Sequence, residues 1–145
     1  MLFKTMYESD FNRIRIDTNS NLLYAEWLRP VNEEEIKIGS LQLTEVLLAT
    51  RIQRALVNLE VFGALTAEVK EWIVTTLYEA LLQTSLQKLA RVLPDNVFYR
   101  LALESIVTRA EALHAINFPI QNFCNQQEAL KWLTKEAILV TPAIK

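Results

Sequence analysis

Nucleophilic or acid–base catalysis needs a reactive side chain with a second group in reach, and this chain offers few starting points. It has one histidine, His114, and one cysteine, Cys124. An imidazole base or a thiolate nucleophile works beside a partner that orients or deprotonates it. Neither residue type is repeated, so His114 is read as structural or solvent-facing, near a helix end where the dipole favours an imidazolium. Cys124, directly after Phe123, is read as a small buried residue rather than a nucleophile, and a single cysteine closes no internal disulfide.

Metal and phosphate chemistry have no better footing. The three aspartates, Asp10, Asp17 and Asp95, fall in turn or cap settings instead of at ligand spacing, so no metal and no cofactor is expected. Two glycines, Gly39 and Gly63, cannot build a glycine-rich phosphate loop. Arg51 and Arg54 form a pair able to contact an anion or a partner, although a solvated surface pair is the commoner arrangement. Fifteen Lys and Arg against 17 Asp and Glu give a net charge of −2, which argues against a general nucleic-acid binder. The basic and aromatic residues are not interleaved as in single-strand platforms.

The elements that must position these residues are legible from period and punctuation. Residues 11–17 alternate Ile14 and Ile16 with Arg13 and Arg15, the period of a half-buried strand, and Asn19, Ser20 and Asn21 turn the chain into a second strand at 22–28. Residues 3–8 are a further short strand candidate at the edge. After Pro30, Asn32 and Glu35 have capping-box spacing, and Glu33 to Glu35 put negative charge at a helix start. The helix is expected over 33–50. Gly39 lies inside it, either as a site of close packing or as a tolerated glycine costing about 1 kcal/mol against Ala.

Residues 54–61 read as a strand covered on both sides. Thr66 then caps a helix running to about residue 83, with Val69, Trp72, Ile73, Leu77 and Leu81 on one stripe. A strand at 88–93 precedes a helix over 96–113, capped by Asp95, whose apolar side carries Val97, Leu101, Ile106, Ala110 and Leu113. A last strand is expected at 120–123. Asn125 and Glu128 repeat the capping-box spacing ahead of a helix with Leu130, Trp132 and Leu133.

This alternation is that of an α/β domain: a mixed four- or five-stranded sheet with a largely parallel centre, an N-terminal antiparallel hairpin and about four helices. At 145 residues, one domain is the expectation, taken over 1–135 with an apolar tail at 136–145. The longest apolar run is four residues, far short of the roughly 18 of a membrane span. With no secretory pattern in the first ten residues either, a cytoplasmic location is expected.

The C-terminal stretch Phe123-Cys-Asn-Gln-Gln-Glu-Ala-Leu-Lys-Trp-Leu133 resembles the ending of the bacterial STAS-like family, the anti-sigma-factor-antagonist-like proteins. Residues 55–60 are similar to that family's buried strand, with Asn58 where an Asp is usual. The likeness spans residues 11–133. It implies a mixed sheet packed by helices and a non-catalytic role in binding a protein or a ligand. The family's phosphorylated serine lies in an Asp-Ser motif, and the matching stretch Phe62-Gly-Ala-Leu-Thr-Ala-Glu68 has no such pair. Thr66 is the positional counterpart of that phospho-acceptor and has a helix cap as its simpler role.

Two functions follow as expectations. One is a regulatory or interaction domain with a protein partner. The other, suggested by the likeness of some STAS-like proteins to lipid carriers of the CRAL-TRIO type, is a carrier or membrane-surface binder of a lipid or other apolar molecule. The apolar stretch 137–140 (Ala-Ile-Leu-Val) adds the expectation of a homodimer.

Overall fold

The computed structural model describes the backbone of residues 2–143 and the side chains of residues 2–135. Three strands open the chain: β1 (Lys4–Glu8), β2 (Asn12–Asp17) and β3 (Leu22–Trp27), paired antiparallel in sequence order. Asp17 organises the β2–β3 turn, accepting from the Asn19 backbone at 3.1 Å and the Ser20 hydroxyl at 3.0 Å. Asn21 takes the left-handed conformation, φ 54°, that asparagine tolerates better than most residues.

From β3 onward every strand runs the same way. Helix α1 (Glu33–Thr50) leads to β4 (Arg54–Asn58), which pairs parallel with β3. Three continuous segments follow as one helix: α2 (Ala67–Trp72), a π-helical turn at Ile73–Leu77, and α3 (Tyr78–Leu82). Then come β5 (Lys88–Val92), α4 (Val97–Leu113), β6 (Ile120–Phe123) and α5 (Gln126–Ala143). The sheet order is β1-β2-β3-β4-β5-β6, with β4-β5 and β5-β6 also parallel.

The sheet therefore has six strands, not four or five. The extra member is β1, whose side chains are mostly exposed. An edge strand of this kind joins by backbone bonds and leaves little apolar alternation to read.

Three parallel steps in one direction, with crossovers of one hand, place their helices on one face of the sheet. That is where they pack: Leu23, Ala25, Ala55, Val57 and Leu89 meet Leu47 of α1, Val74 and Leu81 of the second helix, and Ile106 of α4 in one core. The alternate strand residues Leu22, Tyr24, Leu56, Ala90 and Val92 point to the other face, where Ala129 and Leu133 of α5 cover them. Helix α5 packs on β5, β4 and β6, so it closes the parallel half of the second face.

The first helix starts as its sequence dictates. Asn32 accepts from the Glu35 backbone at 2.9 Å and the Glu35 carboxylate accepts from the Asn32 backbone at 3.1 Å, a complete capping box. Gly39 is a site of close approach: a Cβ there would stand 2.5 Å from Cη2 and 2.9 Å from Cζ3 of Trp27. Among the described residues, no helix is long and apolar enough to cross a membrane. The expected role of 137–140 in self-association lies outside the residues whose side chains are described.

Candidate functional site

Because β3, β4, β5 and β6 are parallel, the segments that leave them all emerge at one edge of the sheet. In open α/β sheets this carboxyl edge is where the connecting segments form a binding crevice. Here residues 93–95, which follow β5, and Cys124, which follows β6, border a groove of about 410 Å³. Its walls include Glu60, Leu93, Pro94, Arg100, Glu104, Phe123 and Cys124.

Local hydrogen bonds hold the groove's rim. Asn58 accepts from the Glu60 backbone at 2.9 Å, and its amide donates to the Glu60 carboxylate at 2.9 Å. The Arg100 guanidinium donates to the carbonyl of Asp95 at 3.2 Å and lies 3.7 Å from the Asp95 carboxylate. Three carboxylates, Glu60, Asp95 and Glu104, line the groove against the single cation of Arg100. The surface is acidic, and it favours a basic partner.

Beside the groove, the first turns of α4 carry apolar side chains into solvent: Val97, Phe98 and Leu101 are 52%, 76% and 57% exposed. This corrects the expected orientation of α4, which put Val97, Leu101 and Leu113 on the core side. Ile106 and Ala110 are buried as expected, and Leu103 and Val107 join them in place of Val97, Leu101 and Leu113. The first turns of the helix are apolar on the outward side too, through Val97, Phe98 and Leu101, whereas Ser105, Thr108 and Arg109 continue that side with polar residues. The cap is also one residue later than expected, since Asn96 accepts from the Phe98 and Tyr99 backbones at 2.9 and 3.1 Å.

Thr66 sits at the same edge of the sheet, on the segment between β4 and α2. It is exposed, and its hydroxyl accepts from the Val69 backbone at 3.1 Å, the geometry of an N-cap. Cys124 is exposed on the groove wall, not buried as expected. It follows the last residue of β6, where the chain turns outward before α5.

Arg51 and Arg54 lie at the opposite, amino edge of β4, away from Thr66 and the groove. Arg51 is the C-cap of α1 in the left-handed conformation, φ 58°, its backbone donating to Leu47 at 2.9 Å. The Arg54 guanidinium donates to the carbonyls of Leu133 at 2.9 Å and Ser20 at 2.8 Å. It ties α5 and the hairpin turn to the sheet. Lys88, next to it on β5, donates to the Trp132 carbonyl at 2.6 Å and lies 4.1 Å from the centre of that indole.

The remaining polar cluster lies on the hairpin's side of the second face. Glu26 receives both Arg13 and Arg15, and Arg15 stacks between the rings of Phe3 and Tyr24 at 5.3 and 5.1 Å. Tyr24 donates to Gln126 at 2.6 Å. Burial raises the phenol above its ordinary pKa, so it stays a donor at neutral pH. This cluster joins the hairpin to the start of α5.

Compared with protein-family models, curated proteins and solved structures, the chain matches none.

Proposed function

We propose that the chain is a non-catalytic, STAS-like interaction domain of the cytoplasm that docks a protein partner on its carboxyl edge. The observation that carries this reading is the exposed apolar start of α4, Val97, Phe98 and Leu101, beside an acidic groove. A matching partner presents apolar side chains flanked by Lys or Arg. Apolar anchors supply the affinity and charge supplies the orientation. Thr66 acts in this reading as a helix cap without the Asp-Ser switch that the family resemblance would imply.

A lipid carrier needs an apolar cavity of roughly 300 Å³ or more. The cavity in the main core is about 70 Å³, which supports the interaction reading over the carriage of an acyl chain. The test is site-specific photo-crosslinking in the native host. A photoreactive side chain at position 98 is expected to capture a defined protein that the same group at exposed Glu45 of α1 does not. The captured partner, purified, should bind the chain and lose binding to the Glu60→Lys, Glu104→Lys double variant. Equal capture from both positions, or none from position 98, overturns the assignment.

A further inference from the structure

The sheet has two edge strands, β1 and β6, and they are built differently. Strand β1 is blunted: its pairing with β2 shifts register between Thr5 and Tyr7, an irregularity that twists an edge, and Lys4 and Glu8 put charge along it. Strand β6 has neither device. Its register against β5 is unbroken from Ile120 to Phe123, and its sequence, Ile-Gln-Asn-Phe, carries no charge.

The backbone of β6 is in register for one more strand. The Pro119 carbonyl accepts from the Leu89 backbone at 3.1 Å and the Phe123 carbonyl from the Leu93 backbone at 3.0 Å, so both point to β5. In an extended chain the N–H that follows such a carbonyl points the opposite way, and the pattern repeats every second residue. The N–H groups of Ile120, Asn122 and Cys124 and the carbonyls of Ile120 and Asn122 therefore face outward. None of them has a hydrogen-bond partner among the described residues. Strand β5, paired on both sides, is buried throughout, whereas every residue of β6 is half-buried or exposed. Two β6 side chains are engaged within the fold, Asn122 accepting from Arg91 and Phe123 packing on Trp132. What the edge offers is main chain.

We infer that the docking partner adds an extended segment to β6 as a further strand, with a Lys or Arg over the acidic groove. The groove takes in Asn122, Phe123 and Cys124, so it opens at the carboxyl end of that edge, and there the carboxylates of Glu60, Asp95 and Glu104 outnumber the cation of Arg100. Main-chain bonds supply the affinity of such an addition, and the groove selects the charge. From Ile120 to Cys124 the open groups span about 13 Å at roughly 3.3 Å per residue, which a segment of about six residues covers. The inference rests on the docking reading in giving the groove to a basic partner, and it adds the conformation in which that partner binds.

The experiment is an NMR titration of the ¹⁵N-labelled whole protein with the peptide acetyl-Lys-Thr-Val-Thr-Val-Lys-amide, whose end lysines bring one cation to the groove in either direction. In the free protein the amides of Ile120, Asn122 and Cys124 should exchange with solvent at least tenfold faster than those of Gln121 and Phe123. Saturating peptide is expected to slow the first three at least tenfold. The same peptide N-methylated at both central nitrogens presents a methyl group to the edge in either register and should bind at least tenfold more weakly. The analogue with Glu in place of both lysines should also bind at least tenfold more weakly. Shifts confined to the start of α4, with the three β6 amides unprotected, overturn strand addition and leave the docking reading standing, since capture from position 98 decides that reading separately. Equal binding of the N-methylated peptide, or no binding at all, overturns it as well. So does protection of the three amides in a dimer of the free protein, which makes a second copy the occupant of the edge.

Discussion

The imidazole Nε2 of His114 lies 2.8 Å from the main-chain carbonyl of Val74. A carbonyl only accepts, so Nε2 carries the proton. Val74 belongs to the π turn, where a wider hydrogen-bond ring displaces carbonyls from the regular helical ladder. The end of α4 thereby fastens the irregular point of the second helix. His114→Ala should destabilise the fold by about 1 kcal/mol. Urea unfolding of the two proteins measures it.

Gly39 stands against the Trp27 indole with no room for a methyl group. Gly39→Ala would gain helix propensity on a bare helix, yet here it should cost about 1–3 kcal/mol through overpacking. A lowered thermal midpoint with a shifted Trp27 fluorescence maximum is the expected signature. A gain in stability would show that α1 moves away freely.

Thr66 separates a cap from a switch. As a cap, Thr66→Ser should be nearly neutral and Thr66→Ala should cost about 1 kcal/mol, with partner binding unchanged in both. Were it a switch, phosphate at this hydroxyl would weaken a complex through charge placed in the interface, and Thr66→Glu would do the same. Mass spectrometry of the protein from its native host should find Thr66 unmodified, and Thr66→Glu should still bind the partner.

Acid sensitivity has a local source at the start of α1. Arg29 grips the Glu35 carboxylate through two bonds of 3.1 and 2.7 Å, and the Asn32 backbone adds a third. The Arg29 bonds, then the backbone bond, hold the Glu35 pKa below its ordinary value. A depressed folded pKa contributes stability that is present above the unfolded value, about 4.3, and lost as pH falls through the folded one. Between pH 6 and pH 3 the urea midpoint of the native protein should fall more than that of Glu35→Gln.

The docking edge predicts a separation of stability from binding. Phe98→Asp and Leu101→Asp change exposed residues, so each should alter stability by no more than about 0.5 kcal/mol while abolishing partner capture. Cys124 reports on the same edge: its thiol should react fully with a thiol reagent in the folded protein and be shielded in the complex.

Much of the scaffold was legible because local chemistry specified it. Asn32 with Glu35 marked the start of α1 at Glu33, and strand β6 falls at the expected 120–123. Thr66 is the cap that its place before Val69 suggested. What escaped depends on tertiary contacts. Strand β1 was a candidate at 3–8, and only its place in the strand count escaped, because its pattern is exposed and it joins through backbone bonds. The outward side of α4 begins with Val97, Phe98 and Leu101, so its first turns gave no sign of exposure, and only Ser105, Thr108 and Arg109 further along mark it as the solvent side. Arg91 sits in a strand between Ala90 and Val92, where only the packed structure shows that it is buried and bonded to Asn122 and the Leu103 carbonyl. Arg51 and Arg54, close in sequence, have separate structural duties because a helix ends and a strand begins between them.

Because the order of strands across the sheet is their order in the chain, each parallel strand can dock on a neighbour already made as the polypeptide leaves the ribosome. One face is the exception. Leu22, Leu56, Ala90 and Val92 are complete with β5, but their cover, Ala129 and Leu133, is synthesised after all six strands. A nascent chain stopped before residue 126 would carry an uncovered apolar strip along the middle of its sheet, and the two carbonyl anchors of Arg54 would be reduced to one. Helix α5 thus closes the second face of a sheet whose strands are already made, and the interval before its arrival is when that face is open to a chaperone.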